Sequence, residues 1–136
     1  TSRESAAIIN EQVKNVNSNN QNSIDAMHQL KEQARIMKEA LLKGKLNEFG
    51  EILDFGFQQK RKMAANISNS SIEIIYDAAK NAGATGGKIS GAGGGGFMIF
   101  YCPGNTRYAV IETLLKFGGE VKKYSFIKYG LTSWSI

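Results

Sequence analysis

The sequence predicts an α+β fold, with helices first and then a small, mostly antiparallel sheet joined by one further helix. Three observations carry this expectation. Apolar residues recur at intervals of three and four through most of the chain up to Ala82. A glycine-dense stretch from Gly83 to Gly96 then interrupts the pattern, holding 8 of the chain's 15 glycines. Beyond it the apolar period shortens, beginning with the continuous run Phe97-Met98-Ile99-Phe100-Tyr101-Cys102. At 136 residues, 42% of them hydrophobic and 21% charged, the chain has the size and composition of one globular domain.

The elements follow in order. From Ser5 to Asn17, Ala6, Ile8, Ile9, Val13 and Val16 lie close to helical spacing, and the polar run Asn17 to Asn22 breaks it. Ser23 to Lys43 repeats at Ile24, Met27, Leu30, Ala34, Met37 and Leu41, an amphipathic helix that Gly44 is placed to end. Leu46 to Ala65 continues through Phe49, Ile52, Leu53, Phe57, Lys60 and Met63-Ala64. Gly50 and Gly56 each weaken that helix by up to about 1 kcal/mol relative to alanine, a cost that a close approach to a neighbouring helix would explain.

A fourth helix opens at Ser70, with Glu73 three residues on as a capping-box partner. It buries Ile72, Ile75, Tyr76, Ala79 and Ala82 and stops at Gly83. Gly86 to Ser90 and Gly96 to Cys102 read as strands, the second apolar enough to be central or covered on both faces. Pro103-Gly104-Asn105 turns the chain, and Asn105 or Thr106 can cap a helix running to about Phe117. Val121 to Lys128 alternates as a half-buried strand, Tyr129-Gly130 turns, and Leu131 to Ile136 reads as a last strand.

Charge and cysteine usage narrow the function classes. The net charge of +5 and pI of about 9.4 suit an anionic ligand, but the cations are scattered. Lys60-Arg61-Lys62 and Lys122-Lys123 are the only short clusters, and solvated helix faces account for them. A nucleic-acid surface would draw on Tyr101, Tyr108, Tyr124, Tyr129 and Trp134, yet aromatics at strand positions serve the core more often than they stack bases. The single Cys102 lies in an apolar run and reads as a buried structural thiol, in keeping with a reducing cytoplasm. His28 is the only histidine, so no metal-ligand spacing and no Cys–His pairing is visible. There is no apolar run of the roughly 18 residues that cross a membrane, and no signal-peptide pattern. The opening Thr1-Ser2-Arg3, without an initiator methionine, is what a boundary inside a longer chain would look like.

The chemistry is expected in the glycine stretch, GATGGKISGAGGGG. Glycine is the most permissive residue in φ/ψ, and a loop of glycines exposes backbone N–H groups that can hold phosphate oxygens. Lys88 is near enough to add charge. Gly91, Gly93 and Gly96 satisfy a loose G-x-G-x-x-G, but that dinucleotide fingerprint must follow a strand and open a helix, and here a strand follows. No Gly-Lys-Ser/Thr ends the stretch, which excludes a Walker A loop. A flexible turn between strands is the plain alternative.

Lys88-Ile89-Ser90-Gly91-Ala92-Gly93-Gly94-Gly95-Gly96-Phe97, preceded by Asn81-Ala82-Gly83-Ala84, resembles the third conserved motif of the GHMP kinases. That superfamily phosphorylates galactose, homoserine, mevalonate, phosphomevalonate and related small molecules. The run GGKISGAGGGGFMIFYC and the terminal strands are most similar to its sugar branch, the D-glycero-D-manno-heptose 7-phosphate kinases and their fucokinase-like relatives. The opening Thr1-Ser2-Arg3-Glu4-Ser5-Ala6, followed by Gln12, is similar to the start of that branch's C-terminal half.

The resemblance implies a ferredoxin-like C-terminal lobe across 1–136, with helices over about 5–82, the glycine loop over 83–96, and the sheet and one helix over 97–136. It implies a partner lobe, N-terminal in the same protein, holding a Pro-x-x-x-Gly-Leu-x-Ser-Ser loop for ATP and the acidic residue proposed as base. Neither motif is in this sequence, so no catalytic residue is expected here, ATP and Mg²⁺ are expected to be bound mainly by that lobe, and these 136 residues alone are expected to be inactive. The reaction implied is transfer of the ATP γ-phosphoryl group to a hydroxyl of a sugar or sugar phosphate, catalysed by positioning and charge neutralisation. Gly91, Ala92, Gly93, Gly94 and Gly95 are expected beside the triphosphate and acceptor, with Lys88 and Ser90 as neighbours. Small residues suit the place because a Cβ would occupy the space of phosphate or sugar. Arg3 would contact an anionic acceptor or form a surface salt bridge. No metal ligand, nucleic acid or membrane is expected. A stand-alone ferredoxin-like domain that binds a ligand without catalysis is the competing reading.

Overall fold

Two helices joined by a tight polar turn begin the chain, in a computed structural model that describes residues 2–63, 70–90, 96–125, 127, 129–130 and 133. The turn between α1 (Ser2–Asn17) and α2 (Gln21–Leu42) places Asn19 at a φ of 56°. The Asn20 side chain then caps α2 by accepting from the Ser23 backbone N–H at 3.2 Å. The cap lies earlier in the polar run than the spacing suggested, so α2 starts two residues before Ser23. Gly44 ends it with a φ of 67°.

α3 (Glu48–Met63) packs between α2 and the sheet. Its glycines are sites of close approach. A Cβ on Gly56 would overlap the side chain of Gln33, whose Nε2 donates to the Ile52 carbonyl at 2.6 Å and ties α2 to α3. Gly50 faces Thr85, the residue before β1 (Gly86–Ser90), rather than a helix. α4 (Ser70–Asn81) begins and ends close to the expected bounds, and Gly83, at a φ of 112°, turns the chain out of it. A Cβ there would meet Thr106 Cγ2 at 2.7 Å. Glu73 accepts from Arg61 of α3, while the side chain of Ser70, its expected capping-box partner, lies outside the described residues.

β1 and β2 (Phe97–Tyr101) form an antiparallel hairpin in register from Gly86↔Tyr101 to Ser90↔Phe97. α5 (Arg107–Leu115) follows the Pro103 turn. Thr106 stands at its N-cap, but the hydroxyl donates back to the Pro103 carbonyl at 2.8 Å and leaves the helix without a side-chain cap. The principal core joins Phe57, Ile72, Tyr76 and Ile89, with Met98 and Phe100 against them. Phe57 and Tyr76 stack with ring centroids 4.2 Å apart. A second cluster of Ala79, Ala84 and Val110 seats α5, with Cys102 and Leu114 beside it. Burial of each large apolar side chain contributes about 1.5–3 kcal/mol.

Two expectations for the sheet are corrected. β2 is not covered on both faces: Phe97 is 62% exposed, the rest is half-buried, and among the described residues only β1 pairs with it. The described residues of 121–128 form no strand. Val121, Tyr124 and Ile127 are 48%, 66% and 80% exposed, so the alternation that reads as a half-buried strand finds no apolar surface to cover it among the described residues. The last expected strand, 131–136, lies outside the described residues except for Ser133.

Candidate functional site

The glycine-rich stretch bridges the open end of the β1–β2 hairpin, between the last pair, Ser90↔Phe97. Gly91, Ala92, Gly93, Gly94 and Gly95 lie outside the described residues, as does the side chain of Arg3 in α1. Lys88 and Ser90 are described, and both are exposed on β1. Gly96 leads into β2 at a φ of 99°. The structure therefore brings Lys88 and Ser90 to the base of the loop.

β1 is held there by contacts that periodicity did not single out. A Cβ on Gly86 would overlap the Gly50 carbonyl oxygen and come within 2.8 Å of the Asp54 backbone nitrogen, so α3 and β1 meet backbone to backbone. One residue on, the Gly87 N–H donates to the Tyr76 hydroxyl at 3.1 Å. That hydroxyl donates in turn to Asp54 Oδ1 at 2.7 Å. Lys80 lies 3.3 Å from the same carboxylate oxygen and donates to the Thr85 carbonyl at 3.0 Å. Burial, then the hydrogen bond to Asp54 and its charge, hold the Tyr76 phenol well above its ordinary pKa, so it remains a neutral donor. A shallow cleft of about 360 Å³ opens beside this network, lined by Asp54, Gln58, Tyr76, Asp77, Lys80 and Asn81. Of the residues expected at the site from sequence, the two whose side chains are described, Lys88 and Ser90, do not line it. Asp54 carried one signal, its position one turn beyond Gly50 and one before Phe57 on the inward face of α3.

The second feature missed is Lys60. Gly50 and Asp54 meet Gly86, and Phe57 shares a core with Ile89, so α3 and β1 run side by side in the same direction. The last turns of α3 consequently arrive where β1 enters the glycine stretch. Lys60 is half-buried there, and burial first, then the charge of Lys88, push its pKa down. The expectation of a solvated face holds for its neighbours alone. Arg61 pairs with Glu73 and lies 6.0 Å from the Phe57 ring centroid, while Lys62 donates to Gln59 at 3.3 Å.

His28 is exposed. Cys102 is half-buried, and burial raises its thiol pKa more than Arg107 lowers it, which favours the protonated thiol. Among the described residues, no group of three or more His, Cys, Asp or Glu could hold a metal ion. No described helix is long and apolar enough to cross a membrane. In chemical terms the site is a cationic approach, Lys60 and Lys88, at the base of a loop rich in backbone N–H groups.

The family profile "GHMP kinases C terminal" matches residues 37–120. The chain is 40% identical over 114 residues to D-glycero-alpha-D-manno-heptose 7-phosphate kinase of Campylobacter jejuni, covering 84% of this chain and 34% of that protein. It is 31% identical over 100 residues to mevalonate kinase of Pyrococcus horikoshii, covering 72% of this chain and 29% of that one. Mevalonate kinase of Methanothermobacter thermautotrophicus matches over 64 residues at 38% identity, 47% of this chain and 20% of the relative. The chain thus spans about a third or less of the length of these relatives.

Proposed function

Because the chain belongs to the GHMP kinases, carrying their C-terminal domain, we propose that it forms the C-terminal lobe of an ATP-dependent sugar-phosphate kinase. The acceptor class proposed is a heptose 7-phosphate or a close relative. The observation that carries this reading is the 40% identity to the heptose 7-phosphate kinase over 84% of the chain, well beyond the glycine motif. The geometry supports it independently: a glycine-rich loop on a braced hairpin, approached by Lys60 and Lys88, suits a phosphorylated ligand.

On this reading the lobe's work is positioning. Gly91 to Gly95 present backbone N–H groups and free space to the triphosphate and acceptor, and Lys88 and Ser90 stand beside them. Asp54, Tyr76 and Lys80 hold β1 at a set distance from α3. ATP and the catalytic base belong to an N-terminal lobe of the same protein, and Arg3 to the junction. Mg²⁺ finds no fitting ligand cluster among the described residues, so no step through it is assigned to this lobe. The proposed compartment is the cytoplasm.

The test is ATP turnover by the full natural chain against a panel of sugars and sugar phosphates that includes heptose 7-phosphate, with residues 1–136 as a control. Acceptor-dependent turnover by the long form alone is expected. No turnover with any acceptor would favour a ligand-binding domain without catalysis.

A further inference from the structure

We infer that Tyr76 is a positioning residue for phosphoryl transfer: through Gly87, its hydroxyl sets where β1 delivers the glycine-rich stretch. The inference rests on the kinase reading above. β1 opens with Gly86 and Gly87, which let backbone approach backbone but supply no side chain to lock the strand. A Cβ on Gly87 would come within 2.6 Å of the Ile99 carbonyl oxygen and of the Phe100 ring, so a side chain has no room there. The position of this end of β1 therefore rests on main-chain contacts. The Gly50 carbonyl oxygen forbids closer approach to α3 at Gly86. One residue later, the 3.1 Å bond from the Gly87 N–H to the Tyr76 hydroxyl opposes retreat. Lys80 adds a third hold, donating to the carbonyl of Thr85 immediately before the strand.

The hydroxyl is itself held on target. Tyr76 is buried, with its ring stacked on Phe57 of α3 and tilted against Phe100 of β2, centroids 5.6 Å apart. Its proton goes to Asp54 Oδ1 at 2.7 Å, because the Gly87 carbonyl, at 3.5 Å, is too distant to compete. With the proton committed to Asp54, the oxygen faces the Gly87 N–H as an acceptor. A phenylalanine ring would fill the same place in the core; the hydroxyl adds direction, which apolar packing does not. Three residues beyond Gly87 lies Ser90, the last residue of β1 paired with β2, and the glycine-rich stretch continues from there. A strand advances about 3.3 Å per residue, so the bond acts roughly 10 Å from that point. Misplacing a reacting group by about 1 Å costs on the order of a hundredfold in rate. A shift of β1 on that scale would register in turnover while leaving substrate contacts in place.

The experiment uses the full natural chain as wild type, Tyr76→Phe, Asp54→Ala, Asp54→Asn and Ile72→Val, with folding checked by circular dichroism. Asparagine keeps an acceptor for the Tyr76 hydroxyl, and Ile72, from the same core, controls for a general loss of packing. In the first arm, the ¹⁵N-labelled glycine amide signals are compared by NMR. Tyr76→Phe is expected to move the signals of Gly87 and of Gly91, Gly93, Gly94 and Gly95, and Ile72→Val to leave them in place. Signals of the glycine-rich stretch that stay put in Tyr76→Phe, or that Ile72→Val moves equally, would overturn the inference.

The second arm measures kcat and KM at a temperature where every variant is folded. Tyr76→Phe and Asp54→Ala are expected to lower kcat by about tenfold or more, with KM for acceptor and ATP little changed, the pattern of lost transition-state positioning. Asp54→Asn is expected to retain most of the turnover. A fall in kcat no larger than that of Ile72→Val contradicts the inference, as does a rise in KM at unchanged kcat. If the wild type turns over no acceptor at all, the kinase reading fails, while the first arm still decides whether Tyr76 places the glycine-rich stretch.

Discussion

The carbonyl oxygen of Gly50 occupies the space that a Cβ at Gly86 would need, so α3 and β1 touch through bare backbone. Gly86→Ala is expected to destabilise the protein by about 3 kcal/mol or more, because the group it strikes is main chain and cannot rotate away. Gly44→Ala is the contrast. A Cβ there meets nothing within 4 Å, and only its φ of 67° is strained, a cost of about 1–2 kcal/mol. Urea unfolding of both variants measures the difference, and equal costs would refute the rigid contact.

Tyr76 makes stability depend on alkaline pH. Its folded pKa is raised above the ordinary value of 10.0, so the unfolded chain loses the phenolic proton first. The contribution is complete below pH 10.0 and declines as pH rises beyond it. Tyr76→Phe should cost about 1–3 kcal/mol at pH 7, since the Gly87 N–H and Asp54 each lose a partner. It should also flatten the stability profile above pH 10.0, which chemical denaturation at several pH values would reveal.

Lys60 has the opposite sign. Its folded pKa lies below the ordinary 10.5, so between the two values the unfolded chain binds more protons and stability rises with pH. At pH 7 the full penalty is present. Lys60→Met is therefore expected to raise the urea midpoint slightly, by less than about 1 kcal/mol in stability, and to remove the alkaline rise. A lowered midpoint in a normally folded variant would contradict this.

Gly93→Val tests the glycine stretch in the full natural chain. Acceptor-dependent turnover is expected to fall by about a hundredfold, the scale of a misplaced substrate, with the unfolding midpoint little changed. Kinetics like the wild type in a folded variant would remove the stretch from the active site.

The helices were legible because each carries its own period and stop: α2 ends at Gly44 and α4 at Gly83, as the pattern of apolar residues and glycines indicates. The β1–β2 hairpin was equally local. What escaped were relations between distant residues. Asp54, Tyr76 and Gly87 become partners only when α3, α4 and β1 are packed together, and the spacing that puts Lys60 among the apolar positions of α3 does not show that it feels the charge of Lys88 on β1. The alternation from Val121 to Ile127 misled for the converse reason. It records which residues could share a face, but a strand also requires a neighbour to receive its backbone bonds, and no described residue provides one.

The bond from Gly87 to Tyr76 has a consequence for how copies of this sheet could associate. It occupies an outward N–H of β1 with a side chain, which closes that margin to a newcomer. β2 has no described strand beyond it. Any strand that joins the described hairpin is therefore confined to the β2 margin, and the sheet can extend in one direction only.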